Sequence, residues 1–148
     1  MTVYIGSDHG GTALKKAIID KLSARGVNVV NVGTDSELSC DYPDFGFKVA
    51  EAVANGGADF GIVICKTGVG MSMVANKVKG VRCGLCVNTE MARLTRQHNN
   101  ANCLALGAGN TDTDTALNIV DAFLSTEFEG GRHAGRVAKI TAYEDNNG

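Results

Sequence analysis

Phe60-Gly-Ile-Val-Ile-Cys-Lys-Thr-Gly-Val-Gly-Met-Ser-Met-Val-Ala-Asn-Lys77 joins an apolar run to a glycine-rich turn and then to a helical pattern. The run Ile62-Val63-Ile64 is β-branched and continuous rather than alternating, which predicts a strand covered on both faces of a parallel sheet. Cys65 therefore stands at the strand's carboxyl end, the edge of an open α/β sheet where ligands bind. The first N–H groups of the following helix are free to cradle an anion, and Gly68 and Gly70 let a ligand approach the backbone. A thiol beside such a cradle has its anion stabilised. The same turn resembles two phosphate motifs and fails both. A dinucleotide fingerprint beginning at Gly68 and Gly70 would need glycine where Met73 stands, and no segment supplies a P-loop.

Outward from this stretch, strand and helix signals alternate. Val3 to Gly6 reads as a first strand ending in Ser7-Asp8-His9-Gly10-Gly11, and Thr12 as the cap of a helix with Leu14, Ala17, Ile18 and Leu22 on one stripe. Gly26 ends that helix, and Val27 to Val32 is a second strand. Pro43 suits the first turn of a helix over Asp44 to Asn55. Beyond the central stretch come a strand over Val81 to Val87, a helix capped by Thr89 and running to about Gln97, and a strand over Cys103 to Leu106. Helices from about Thr113 to Ser125 and near Gly135 to Glu144 follow, with frayed residues from Glu144 to Gly148. This alternation predicts a three-layer α/β fold, one five-stranded parallel sheet with helices on both faces, in a single domain spanning residues 1–148.

Composition narrows the function. The net charge of −2, with 20% charged residues, offers no basic field for nucleic acid. Five cysteines, an odd number, with no leader and no apolar run near the ~18 residues of a membrane span, point to a reduced cytoplasmic protein without a membrane partner. Partners are expected to be small molecules or proteins. Nineteen glycines against one proline favour tight βα turns over disorder.

Three polar constellations accompany Cys65. Asp8-His9 leaves the first strand on the same rim, where a turn Asp or His serves as a local cap or as a ligand group. Arg96-Gln-His-Asn-Asn-Ala-Asn102 holds more hydrogen-bonding groups than a helix cap requires. Arg132 and Arg136 are four apart, so both can face one phosphate, and positive charge at a helix start calls for a partner anion. Cys83 and Cys86 have the spacing of a zinc knuckle, but an offset of three in a strand turns them to opposite faces. The three histidines are far apart in sequence, so a metal centre is not expected. Cys65 with His98 would also suit a thiol hydrolase, and the cradle with the arginines a non-catalytic phosphate or nucleotide sensor.

Gly6-Ser-Asp-His-Gly-Gly11, Asp41-Tyr-Pro-Asp-Phe45, Ile64-Cys-Lys-Thr-Gly-Val-Gly70, Ala75-Asn-Lys77, Arg96 to Asn102 and Glu129-Gly-Gly-Arg-His133 together resemble the ribose-5-phosphate isomerase B family, which also contains galactose-6-phosphate isomerase subunits. The resemblance covers nearly the whole chain. It implies a Rossmann-like homodimer, with a tetramer as a larger alternative, that interconverts aldose and ketose phosphates without metal or cofactor at sites between subunits. By position, Cys65 would be the base between C1 and C2, and the loop with Thr67, Gly68, Val69 and Gly70 would hold the enediolate. His98 would open the sugar ring. Asp8, His9, Tyr42 and Asn99 would bind hydroxyls, and Arg132 and Arg136 phosphate. Two positions depart from the family: Lys66 stands where its ribose isomerases usually have glycine, and Gly109 where they often have an arginine. A cation at Lys66 would lie near the enediolate or a shorter substrate's phosphate. A tetrose 4-phosphate, or galactose or allose 6-phosphate, is therefore an alternative to ribose 5-phosphate.

Overall fold

The computed structural model describes residues 1–147. Five strands, β1 (Thr2–Ser7), β2 (Asn28–Asn31), β3 (Phe60–Cys65), β4 (Cys83–Leu85) and β5 (Cys103–Gly107), form one sheet in the order β2-β1-β3-β5-β4. Every pairing is parallel. The helices are α1 (Thr12–Ala24), α2 (Tyr42–Ala54), α3 (Val69–Asn76), α4 (Thr89–Asn99), α5 (Thr113–Ser125) and α6 (Arg132–Asn147).

Side-chain alternation along the strands divides the core in two, as the pleat requires. Val3, Ile5, Ile62, Ile64, Leu104 and Leu106 pack against α1, α4 and α5 through Leu14, Ile18, Ala92, Ile119 and Phe123. Val63, Cys65, Cys103 and Ala105 face the other way, against Val49 and Val53 of α2 and Met71 and Ala75 of α3. This is the predicted three-layer architecture, and β3, buried on both sides, is its middle strand. Cys86 joins the first cluster and Cys83 the second, so the two thiols do face opposite sides.

Several boundaries differ from the sequence expectation. Thr12 is the first residue of α1, not its cap, because a short 3-10 turn over His9–Gly11 intervenes, capped by Asp8 through the Gly10 N–H. The cap of α4 is Asn88, whose Oδ1 accepts from Met91 N at 2.8 Å, rather than Thr89. Only Cys83–Leu85 of the Val81–Val87 run pairs as strand, at the edge of the sheet. The last helix opens at Arg132, as the arginine pair suggests, ahead of the body expected near Gly135, and continues to Asn147 rather than fraying at Glu144; Gly148 lies outside the described residues.

The polar run before β5 divides into scaffold and surface. Arg96, 8% exposed, donates to the carbonyls of Thr126 and Ala101 and lies over the Phe60 ring, tying the ends of α4 and α5 together. Asn100 takes φ 47 to close α4, and Asn102 bridges Arg82 N and Gly80 O. His98 and Asn99 remain for other work.

Candidate active site

The chain leaves β1 for β2 on one side and then crosses to β3 on the other, so a crevice opens at the carboxyl ends of β1 and β3. Asp8 and His9 enter it from β1, and Lys66 to Gly70 from β3. The two exits touch through Asp8 N, which donates to Ile64 O at 3.2 Å.

Cys65 is 6% exposed, and its Sγ accepts the Gly68 N–H at 3.2 Å. Gly68 presents that N–H because it adopts φ +79; an added Cβ would also stand 2.5 Å from Leu85 Cδ1 and 3.0 Å from the Leu106 carbonyl carbon. Thr67 Oγ1 accepts Val69 N at 3.2 Å, fixing the hydroxyl at the start of α3. The N–H groups of Gly70 and Met71, in the first turn, have no intrahelical acceptor. The Tyr42 ring, at the start of α2, lies against the Gly70 backbone. The cradle thus has a thiol on its floor, N–H donors on one wall and a phenol above.

Two other thiols, Cys83 and Cys86, are unsuited to proton transfer. A hydrogen bond to Cys103, with burial, raises the Cys83 pKa well above the ordinary thiol value, and burial pushes Cys86 up to about 12.

Two neighbours of the crevice carry no strong sequence signal. Cys40 N donates to His9 Nδ1 at 3.2 Å, so Nδ1 is the acceptor and Nε2 carries the proton of the neutral ring. Asn110 Nδ2 donates to Thr67 O at 3.4 Å, from a loop that nothing but spatial proximity connects to the site.

The second group of expected residues lies at the other end of the sheet. α4 runs back from the carboxyl rim and ends beside the start of β5, since Asn99 and Asn100 carbonyls accept from Arg82 at the foot of β4. Cys65 pairs in register with Gly107 and Gly61 with Cys103, which places the amino rim roughly 13 Å below the thiol along the strands. His98 and Asn99 sit at that lower rim, with Arg132 and Arg136, both exposed, on the adjoining start of α6. The crevice group is therefore Asp8, His9, Tyr42, Cys65, Lys66, Thr67, Gly68, Val69 and Gly70. The lower group is His98, Asn99, Arg132 and Arg136.

Far apart in sequence, His98 and His133 meet in the fold, with ring centroids 4.2 Å apart and planes 15° from parallel. Glu129 Oε1 lies 3.5 Å from His98 Nε2 and 3.8 Å from His133 Nε2. These atoms are near enough to one another to suggest a metal site. Yet an imidazole binds a metal in its own ring plane, and two stacked planes do not meet near either nitrogen. The trio reads instead as a stacked histidine pair beside a carboxylate. Glu129 and His133 were visible in sequence only as part of the Glu-Gly-Gly-Arg-His run.

Burial, then the neighbouring His98 and Arg132, lower the His133 pKa below the ordinary histidine value. The unfolded chain therefore takes up this proton first, so the folded state is favoured above about pH 6.5 and loses that advantage as pH falls toward the lowered value. Asp35, lowered by its hydrogen bond from Lys15, and Asp112, lowered by the Thr115 N–H, act only near and below about pH 4. Thermal midpoints at fixed protein concentration should fall between pH 7.5 and 5.5, and His133→Asn should flatten that slope. An equally steep slope in the variant would remove His133 as its source.

An all-parallel α/β sheet with a thiol and an N–H cradle in its rim crevice defines a class of protein built to act on small anionic ligands. The Ribose/Galactose Isomerase family model matches residues 3–140. Ribose-5-phosphate isomerase B of Escherichia coli is 47% identical over 142 residues, covering 96% of this chain and 95% of that protein. The structure of ribose-5-phosphate isomerase B from Clostridium thermocellum superposes with TM-score 0.98 at 55% identity, covering 100% of both chains. That from Mycoplasma genitalium with bound ribulose 5-phosphate gives 0.95 at 47% identity, over 99% of this chain and 97% of the other. This chain belongs to the ribose/galactose isomerase family.

Proposed function

We propose that the chain, acting as one domain over residues 1–148, is an aldose–ketose isomerase of sugar phosphates, with ribose 5-phosphate and ribulose 5-phosphate as the leading pair. The observation that carries this is the Cys65 thiol on the floor of the β1/β3 crevice, held 3.2 Å from a backbone N–H. A hydrogen beside a carbonyl is weakly acidic, so its removal needs a base within reach and donors for the enediolate oxygen. Cys65 as thiolate takes the C2 proton of the aldose. Thr67 and the N–H groups of the Gly68-Val69-Gly70 turn stabilise the enediolate while the O2 hydroxyl proton passes to O1, and the thiol then returns its proton to C1. Asp8, His9 and Tyr42 bind hydroxyls. No metal or other cofactor has a part in this scheme.

In this reading the lower-rim residues serve a second copy of the chain. His98 opens the ring, Asn99 binds a hydroxyl, and Arg132 and Arg136 hold phosphate in the partner's crevice. Support comes from the distance between the rims and from α6, an amphipathic helix that buries only His133 within its own chain. It leaves Ile140 and Tyr143 46% and 70% exposed, the kind of apolar surface that a symmetric dimer covers. A cytoplasmic setting fits the reduced cysteines, and no helix among the described residues is long and apolar enough to cross a membrane.

Incubation with ribose 5-phosphate in deuterated water tests the activity. Ribulose 5-phosphate should accumulate, and C2 of recovered ribose 5-phosphate should gain deuterium. No exchange with ribose 5-phosphate, tetrose 4-phosphates or hexose 6-phosphates would favour a non-catalytic phosphate sensor.

A further inference from the structure

Lys66 and Gly109, forty-three positions apart in sequence, are a single contact in the fold. The loop after β5 runs alongside the residues after β3: Ala108 N donates to Cys65 O at 2.9 Å and Gly109 N to Lys66 O at 2.8 Å. The Lys66 side chain folds over this loop. A Cβ built on Gly109 would stand 3.0 Å from Lys66 Cγ and 3.7 Å from Lys66 Cε. Gly109 has no positive φ to explain its glycine. Its lack of a side chain leaves room for the lysine stem and for the Lys66 carbonyl oxygen, which a Cβ would also meet at 3.0 Å.

The ammonium that the stem carries belongs to the residue directly after the thiol. Lys66 is exposed, and among the described residues no carboxylate pairs with it. An uncompensated cation beside an N–H cradle attracts an anion, and a lysine does so as a point charge rather than as a planar fork.

We infer that Lys66, seated on Gly109, adds a cation on the β3/β5 side of the crevice to the phosphate that Arg132 and Arg136 of a second copy hold, and thereby sets the length of sugar accepted. This rests on the isomerase reading. Because the cation is tethered one residue from Cys65, it draws the anchored phosphate toward the base, so that tetrose 4-phosphates are accepted beside ribose 5-phosphate. A side chain at position 109 would displace the stem and move the charge outward.

The test compares Lys66→Met, Gly109→Ala and the double variant Lys66→Gly/Gly109→Arg with wild type. KM and kcat are measured for ribose 5-phosphate and erythrose 4-phosphate, and the dissociation constant of inorganic phosphate by calorimetry. Loss of one charged hydrogen bond corresponds to about tenfold or more, so Lys66→Met should raise both KM and the phosphate constant by about that factor. Gly109→Ala, which keeps every charge, should raise both in the same direction. The double variant should shift kcat/KM toward ribose 5-phosphate relative to erythrose 4-phosphate. Unchanged phosphate binding in Lys66→Met, or an unchanged sugar ratio in the double variant, overturns the inference. Should Gly109→Ala fail to fold, the exposed Lys66→Met carries the test alone. A wild type that isomerises no sugar phosphate would overturn the activity instead, and phosphate calorimetry on Lys66→Met would still read the cation.

Discussion

Replacing Cys65 by alanine is expected to lower kcat for ribose 5-phosphate by about 10³-fold, within the 10²–10⁴-fold range of a positioned general base. The side chain is 6% exposed and loses only its sulfur, so the variant should fold, with a small loss of stability from the vacated space. Binding should survive, because the N–H cradle and the cationic groups remain. The decisive measurement is deuterium exchange at C2, which the variant should lose together with net isomerisation. Retained exchange would mean that another group removes the proton. Cys86 and Cys103 are poor substitutes, since both are buried in the core, and the partly buried Cys83 lies on the edge strand β4, away from the β1/β3 crevice.

Mixing Cys65→Ala with His98→Ala is expected to restore activity that neither variant has alone. Each inactive chain lacks a residue on a different rim, so a hybrid dimer assembles one intact site from the wild-type thiol of one chain and the wild-type histidine of the other. With equal mixing and free exchange, half the dimers are hybrids with one intact site of two, giving about a quarter of wild-type activity. No recovery after proven subunit exchange would place the whole site within one chain. The topology makes that outcome hard to satisfy, because Cys65 and His98 stand at opposite ends of the same parallel sheet.

The sheet was legible in the sequence because its middle strand, Phe60–Cys65, must be apolar on both faces and the turn after it must be glycine-rich. The same pattern placed Cys65 on the correct rim. Boundaries went astray where side-chain capping competes with pattern. Asp8 captures the Gly10 N–H and inserts a turn before α1, and Asn88 takes the cap from Thr89. The arginine pair marked the opening of α6 at Arg132, while its body was read only from near Gly135 because the helix has little apolar burial to mark it. The histidine stack and the Lys66–Gly109 contact were not readable at all, since each joins residues that only tertiary packing brings together.

The paired backbone beyond β3 and β5 also decides which part of the crevice can move. Ala108 and Gly109 continue the ladder onto Cys65 and Lys66, so the segment bearing the base is tied by backbone bonds to the neighbouring strand's exit. On the opposite side, Ser36 and Leu38 bond only to side chains two residues back, Cys40 holds to His9, and Leu38 is 79% exposed. Residues 36–41 are thus tied to the fold by fewer backbone bonds than the segment that bears the thiol, and their amides are expected to exchange with solvent faster than those of residues 65–68.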